Sequence, residues 1–95
     1  MNGYVTGQVT KCKSGLPDPN NPIRGAKVTV LGTAAFFTTG SDGYYIIELP
    51  PCDPPPTCPG YTLRTTATGY RTKDTTNVHI YSGQATTQDI CLKLV

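Results

Sequence analysis

The sequence predicts an all-β protein of seven short strands, folded as a sandwich or a barrel. Threonine, a β-branched residue that favours strands, occurs 16 times, and 10 glycines and 9 prolines supply residues that interrupt strands. No window shows the i, i+3, i+4, i+7 apolar spacing of an amphipathic helix. Short segments of alternating apolar and polar residues recur instead, with turn-forming residues between them, which is typical of sandwiches and barrels.

The first half of the chain predicts four strands, at residues 4–11, 26–30, 35–39 and 44–49. Alternation sends every second side chain toward the core. The predicted core residues here are Val5, Gly7, Val9, Ala26, Val28, Val30, Tyr45, Ile47 and Leu49. Residues 12–24 contain three prolines and two asparagines, so they are predicted to form a loop. Gly25 precedes the second strand, and Asp42 and Gly43 form a tight turn in which glycine accepts a positive φ.

The second half predicts three strands, at residues 61–67, 75–81 and 89–94. The predicted core residues are Tyr61, Leu63, Thr65, Ala67, Val78, Ile80, Ile90, Leu92 and Leu94. Residues 50–60, PPCDPPPTCPG, predict neither a helix nor a central strand, since proline lacks the amide donor and fixes φ. Gly69 and Tyr70 close the fifth strand, and residues 82–84 turn the chain toward the last.

The charge pattern argues against binding to nucleic acid and against membrane insertion. The formal net charge is +2, only 15% of residues are charged, and the eight basic residues are scattered without interleaved aromatics. No apolar run is long enough to span a bilayer, and no signal peptide opens the chain. We expect one domain, residues 1–95, excised from a larger protein with an added start methionine, so a missing export signal has little weight.

Six segments in a fixed order resemble the carboxypeptidase regulatory-like domain, a transthyretin-like (prealbumin-like) β-sandwich. They read VTGQV at 5–9, PIRGAKVTV at 22–30, TGSDGYY at 39–45, LP at 49–50 with GYTL at 60–63, ATGY at 67–70 and ICLKL at 90–94. Each segment alone is a weak signal, but together they cover nearly the whole chain. The resemblance implies a seven-stranded antiparallel Greek-key sandwich. The departure from the pattern is the insertion between Pro50 and Gly60, where the family has a tight turn.

The resemblance also implies a non-catalytic module. Such domains serve as spacers, adhesion units or folding aids attached to secreted enzymes, surface proteins and outer-membrane receptors. Related collagen-adhesin repeats form an isopeptide bond with a catalytic Glu just before the GY turn, where this chain has residues 64–68. The one glutamate of this chain, Glu48, lies at an outward position, so no isopeptide bond is predicted.

The four cysteines comprise two distant single residues and one close pair. Alternation places Cys12 and Cys91 on the solvent face of the first and last strands, which are neighbours in the family that the chain resembles. We therefore prefer disulfides Cys12–Cys91 and Cys52–Cys58 among three connectivities. Free thiols are an alternative, and so is zinc, although the C-x5-C spacing differs from a zinc knuckle. Disulfides indicate a location outside the cytosol or a hyperthermophilic source.

The sequence contains no pattern of a catalytic or metal centre. His79, the only histidine, falls at an outward strand position, and Ser14, Ser41 and Ser82 lie in turns without a nearby base. We predict no catalytic residue, no metal and no cofactor, with calcium as the weaker alternative because several loops carry oxygen ligands. Those loop residues, whose spacing matches no calcium loop, are Asp18, Asn20, Asn21, Asp42 and Asp53.

Aromatic side chains at outward positions form the candidate binding surface. They are Tyr4, Tyr44 and Tyr81, with one of Phe36 and Phe37. Such side chains stack on sugar rings, anchor a protein partner, or simply cover a strand surface. We predict a non-catalytic extracellular structural, adhesion or spacer module of a larger secreted or cell-surface protein, in contact with neighbouring domains or another surface protein. The alternative is a carbohydrate-binding module that uses the exposed tyrosines.

Overall fold

The computed structural model describes residues 2–51 and 60–95, which form nine β-strands in two sheets. The strands are β1 (Gly3–Lys13), β2 (Leu16–Pro22), β3 (Lys27–Val30), β4 (Phe36–Thr38), β5 (Tyr44–Leu49), β6 (Tyr61–Thr66), β7 (Lys73–Val78), β8 (Ala85–Thr87) and β9 (Ile90–Leu92). The predicted all-β sandwich is confirmed. The predicted count of seven strands is wrong, because β2 and β8 were not expected.

The larger sheet is organised around β1. Strand β5 pairs antiparallel with the first half of β1, from Gly3 opposite Leu49 to Gln8 opposite Tyr44, and β2 pairs antiparallel with its second half. Strands β8 and β9 pair with β1 in parallel. The first and last strands are therefore neighbours, as the resemblance implies, and the ladders are antiparallel except for these two.

The smaller sheet has the strand order β4-β3-β6-β7, with antiparallel ladders throughout. Its two edge strands are β4 and β7. An exposed bidentate pair, in which Arg64 donates to the Asp74 carboxylate, links β6 to β7 at 2.9 and 3.1 Å. Such surface pairs contribute little to stability because both charges stay solvated.

The core lies between the two sheets and is built from the alternating apolar positions of both. Its buried members are Val5, Val9, Ile23, Ala26, Val28, Val30, Tyr45, Ile47, Leu49, Leu63, Val78, Ile80, Ile90 and Leu92. The predicted inward side chains Tyr61 and Ala67 are half-buried and pack against this cluster. Leu94 was predicted to face the core but is 63% exposed. The reason is that β9 ends at Leu92, after which Leu94 forms only an isolated bridge with Tyr70.

The proline-rich segment that was predicted to be a loop contains strand β2. It follows a two-residue turn in which Ser14 and Gly15 both have positive φ, so that Leu16 pairs with Lys13. Proline is tolerated there because β1 is the one strand that β2 pairs with among the described residues, and an edge strand leaves one row of its amide positions outside the ladder.

The sixth predicted strand ends earlier than expected. Asn77 has a φ of 59°, which interrupts the extended backbone, and β7 stops at Val78. Ile80 is buried as predicted, but Tyr81 lies in the connection to β8 and not on a strand.

Candidate functional site

The outer face of the larger sheet carries two large apolar side chains of β5 that remain half exposed. Tyr44 and Ile46 point outward from β5 and are 54% and 51% exposed. Across the ladder they lie opposite Gln8 and Thr6 of β1. The strict alternation of β5, in which Tyr45, Ile47 and Leu49 are buried, fixes this outward placement.

An open cleft of about 550 Å³ lies beside these two side chains, between β5 and β4. Its lining residues are Thr6, Phe37, Thr38, Gly40, Asp42, Tyr44, Tyr45 and Ile46. Phe37 is half-buried and packs against the core, whereas Phe36 is exposed with Lys27 Nζ 4.7 Å from its ring centroid. We refer to Tyr44, Ile46 and Phe37 together as the apolar face.

The turn before β5 positions Tyr44. Asp42 Oδ1 accepts a hydrogen bond from the Tyr44 amide at 3.1 Å, and Gln8 Nε2 donates to the Asp42 carbonyl at 2.9 Å. Gly43 has a φ of 75° and its amide donates to the Gly40 carbonyl at 3.0 Å. The turn is thus tied both to itself and to β1, which sets the direction in which Tyr44 leaves the sheet.

Tyr45 supports the apolar face from the interior. Its hydroxyl donates to the Gln88 carbonyl in the connection between β8 and β9. Burial, and secondarily the nearby Asp89 carboxylate, raise the pKa of this phenol far above its ordinary value. The group therefore remains a neutral hydrogen-bond donor, and its role is to hold β5 against the β8–β9 connection.

The three predicted surface tyrosines do not form one cluster. Tyr4 lies opposite Glu48 at one end of the β1–β5 ladder, and Tyr44 lies opposite Gln8 at the other end. Tyr81 is exposed, and its carbonyl accepts a hydrogen bond from the Gln84 amide in the turn before β8. The structure instead brings Tyr44 together with Ile46 and Phe37. Sequence reasoning placed Ile46 outward but gave it no role, although an isoleucine at an outward strand position is itself a signal.

The disulfide Cys12–Cys91 is present, as predicted. It joins β1 to β9 with a Cα–Cα distance of 4.8 Å across 79 residues of sequence. Cys91 was expected to face solvent but is only 4% exposed, because residues 71–73 lie beside it. The second predicted disulfide, Cys52–Cys58, lies outside the described residues.

No side-chain arrangement in residues 2–51 and 60–95 suggests catalysis or metal binding. His79 is half-buried, and its carbonyl accepts a hydrogen bond from the Thr86 hydroxyl. Groups of three or more His, Cys, Asp or Glu side chains that could hold a metal are absent from this part of the chain. Nor does it contain a helix long and apolar enough to cross a membrane.

The calcium candidates take part in local turns where the structure describes them. Asp18 accepts hydrogen bonds from the Asn21 side-chain amide at 2.6 Å and from the Asn20 backbone amide at 3.1 Å. These donors hold the pKa of the Asp18 carboxyl below its usual value. Both Asp18 and Asp42 thus accept hydrogen bonds from the chain's own amides, while Asp53 lies outside the described residues.

The sequence profile of the carboxypeptidase regulatory-like domain matches residues 4–93. The chain belongs to this family. The carboxypeptidase regulatory-like domain proposed from the six sequence segments is therefore confirmed. No curated protein gives a significant match.

Two similar solved structures are chains of type II cohesin–X–dockerin complexes from Acetivibrio cellulolyticus. The C-terminal interface mutant gives a TM-score of 0.70 at 20% identity, covering 95% of this chain and 56% of that chain. The N-terminal interface mutant gives 0.67 at 20% identity, covering 97% and 58%. This level of identity shows a shared fold. The chain spans a little over half the length of the chains that it matches.

Proposed function

We propose that the chain is a non-catalytic structural or adhesion module of a larger secreted or cell-surface protein. In this role the apolar face packs against a neighbouring domain or another surface protein. The observation that carries the proposal is the pair of large side chains, Tyr44 and Ile46, that remain half exposed beside an open cleft. Tyrosine and other large apolar side chains form the centres of protein interfaces, where few residues supply most of the binding energy.

Burial of the apolar surface that Tyr44 and Ile46 still expose would stabilise a modest contact. Complete burial of a side chain of this size contributes about 1.5–3 kcal/mol, and Tyr44 and Ile46 each still expose about half of their surface. The cleft beside them accepts a side chain from the partner, and Thr6 and Asp42 supply polar groups to its lining. A small apolar centre with a polar rim is the usual anatomy of a non-obligate interface.

Three further observations favour an extracellular, non-catalytic role. The Cys12–Cys91 disulfide is of a kind that persists in oxidising compartments. The described residues contain no group of three or more His, Cys, Asp or Glu side chains that could hold a metal ion. The family is a regulatory-like domain, and the two similar chains each come from a protein complex.

The test compares the isolated chain with the same module inside its parent polypeptide. Docking of the apolar face stabilises the module, so hydrogen exchange of its buried strand amides is expected to be slower in the parent. Ile46→Lys is expected to remove this difference, because it places a charge in the contact. Thr76→Lys, at an exposed position on edge strand β7, is the matched control and leaves the difference intact. Equal exchange rates in the isolated and parent forms would contradict packing of the apolar face against a neighbouring domain of the parent.

Carbohydrate binding is the second candidate, and the polar surroundings of Tyr44 favour it. Tyr44 is flanked by Gln8, Thr6 and Asp42, a combination of stacking surface and hydrogen-bonding groups that suits a sugar ring. Tyr4 and Tyr81 lie apart from Tyr44, so the stacking surface at this cleft would come from Tyr44 and the half-buried Phe37. Retention of a soluble polysaccharide in affinity electrophoresis, lost in Tyr44→Ala and kept in Tyr81→Ala, would support this function.

A further inference from the structure

A second cavity, of about 170 Å³, opens at the far end of the larger sheet from Tyr4, beside the disulfide. Its lining residues are Cys12, Arg71, Thr72, Lys73, Cys91 and Lys93. We refer to it as the disulfide pocket. The disulfide lines it together with three basic residues, whose side chains carry an apolar stem as well as a charged end.

Backbone pairing places two of these basic residues next to each other. The Arg71 amide donates to the Lys93 carbonyl at 2.8 Å, next to the antiparallel bridge between Tyr70 and Leu94. Arg71 and Lys93 are therefore cross-strand neighbours on one face. Like charges directly opposite each other destabilise a sheet.

Within the described residues, the basic side chains of the pocket form no ion pair. The one ion pair there joins Arg64 to Asp74, and none of Arg71, Lys73 and Lys93 has an acidic partner within 4.0 Å in that part of the chain. A chain of net charge +2 thus concentrates three of its eight basic residues around one small pocket without a matching acid. An external anion would relieve the repulsion that the fold imposes.

We propose that the disulfide pocket binds a carboxylate side chain of an acidic polypeptide segment. Arg71 donates in the bidentate fashion suited to a carboxylate, Lys93 and Lys73 add point charges, and the disulfide wall contacts the methylene stem of the Asp or Glu. The volume suits one such group, since a cavity of about 150 Å³ holds one benzene-sized molecule. This site is separate from the apolar face, so it does not depend on the function proposed above.

The lining favours a peptide carboxylate over an acidic sugar. Protein sites for sugar rings use an aromatic stacking surface, and none of the six lining residues is aromatic. Apolar walls also suit an anion that carries an aliphatic stem better than they suit inorganic phosphate, which is hydrated on every side.

The experiment titrates the oxidised chain with N-acetyl-tetraglutamate amide and follows the amide NMR signals. N-acetyl-tetraglutamine amide, tetragalacturonate and inorganic phosphate are the comparison probes. The variant Arg71→Gln with Lys93→Gln removes two pocket charges. Its matched control, Arg24→Gln with Lys27→Gln, removes two exposed charges elsewhere.

The expected result is a saturable shift of the Cys91, Lys93 and Arg71 signals with the glutamate peptide alone. The pocket variant is expected to bind about tenfold or more weakly, since each lost charged hydrogen bond is worth about that factor, and the control less than about twofold. Three results would each overturn the proposal: no saturable shift with the glutamate peptide, equal weakening in both double variants, or equal or tighter binding of the galacturonate or phosphate.

Discussion

At the scale of single residues, Gly43 is the position where conformation and space both exclude a side chain. Its φ is 75°, and a Cβ there would lie 2.5 Å from the Val9 carbonyl oxygen. Gly25 has a similar φ of 77°, but a Cβ added there would meet nothing within 4 Å. A side chain at either glycine would strain the backbone, but only one at Gly43 would also overlap neighbouring atoms.

We expect Gly43→Ala to lower the free energy of unfolding by about 2–4 kcal/mol and Gly25→Ala by about 1–2 kcal/mol. The difference reflects the contact with Val9, which only the first variant makes. Urea denaturation of both variants measures it. Equal losses would show that the approach of the Gly43 turn to β1 carries no cost of its own.

Two buried threonines are expected to respond oppositely to valine. Thr65 is fully buried, and its hydroxyl has no hydrogen-bond partner among the described residues, so Thr65→Val should stabilise by about 1 kcal/mol. The Thr39 hydroxyl donates to the Ile23 carbonyl at 2.6 Å and accepts from the Ala26 amide at 3.0 Å. Thr39→Val leaves both groups unpaired and should destabilise by about 2 kcal/mol. If both variants shifted the urea midpoint in the same direction relative to the unsubstituted protein, the result would contradict this account.

The Asp18 carboxyl offers a test of the hydrogen bonds in β2. Its pKa is lowered from its ordinary value, first by the Asn21 side chain and then by the Asn20 backbone amide. Because the folded pKa is the lower one, its contribution to stability is complete above the unfolded pKa and disappears as pH falls through the folded pKa. In a carbon-detected NMR titration, Asn21→Ala should raise the pKa of Asp18, whereas Asn20→Ala, which keeps the backbone donor, should leave it lowered. The same pKa in both variants would contradict the assignment.

At the scale of secondary-structure elements, the disulfide ties β9, at the end of the chain, to the central strand β1. It closes a segment of 79 residues, so in the chain-entropy model it stabilises the fold by about 4–5 kcal/mol. Cys12→Ser with Cys91→Ser should lose that amount, measured by the urea midpoint under non-reducing conditions. A loss below about 1 kcal/mol would show that the β1–β9 ladder holds without the covalent link.

The elements that sequence reasoning missed have a common physical cause. Strand β2 contains three prolines, which normally predict a loop. It forms a strand because it pairs with the edge of β1, where few β2 amides have to donate hydrogen bonds to the ladder. Strand β8 has three residues, too few for an alternating pattern to predict a strand, and it is recognised only from its pairing with β1. Strand β5, with six strictly alternating residues and a clear turn before it, was predicted with its observed bounds.

At the scale of the whole molecule, the family and the core follow from local patterns, but the candidate sites do not. Which strands become neighbours is set by long-range pairing, so Tyr44 meets Phe37 of the other sheet and not Tyr4 of its own ladder partner. The disulfide pocket likewise depends on residues 71–73 reaching the segment after β9 through the Arg71–Lys93 hydrogen bond. Alternation predicts the face on which a side chain lies, and only the pairing of strands predicts its neighbours.

The apolar face is proposed to pack against a neighbouring domain of a larger protein. The most direct measurement compares the amide NMR spectra of the isolated chain and of the same module, isotope-labelled, inside its parent polypeptide. We expect changed signals clustered at Tyr44, Ile46 and Phe37 and unchanged signals on β7. Unchanged signals across the apolar face, or changes there only when a soluble oligosaccharide is added, would contradict it.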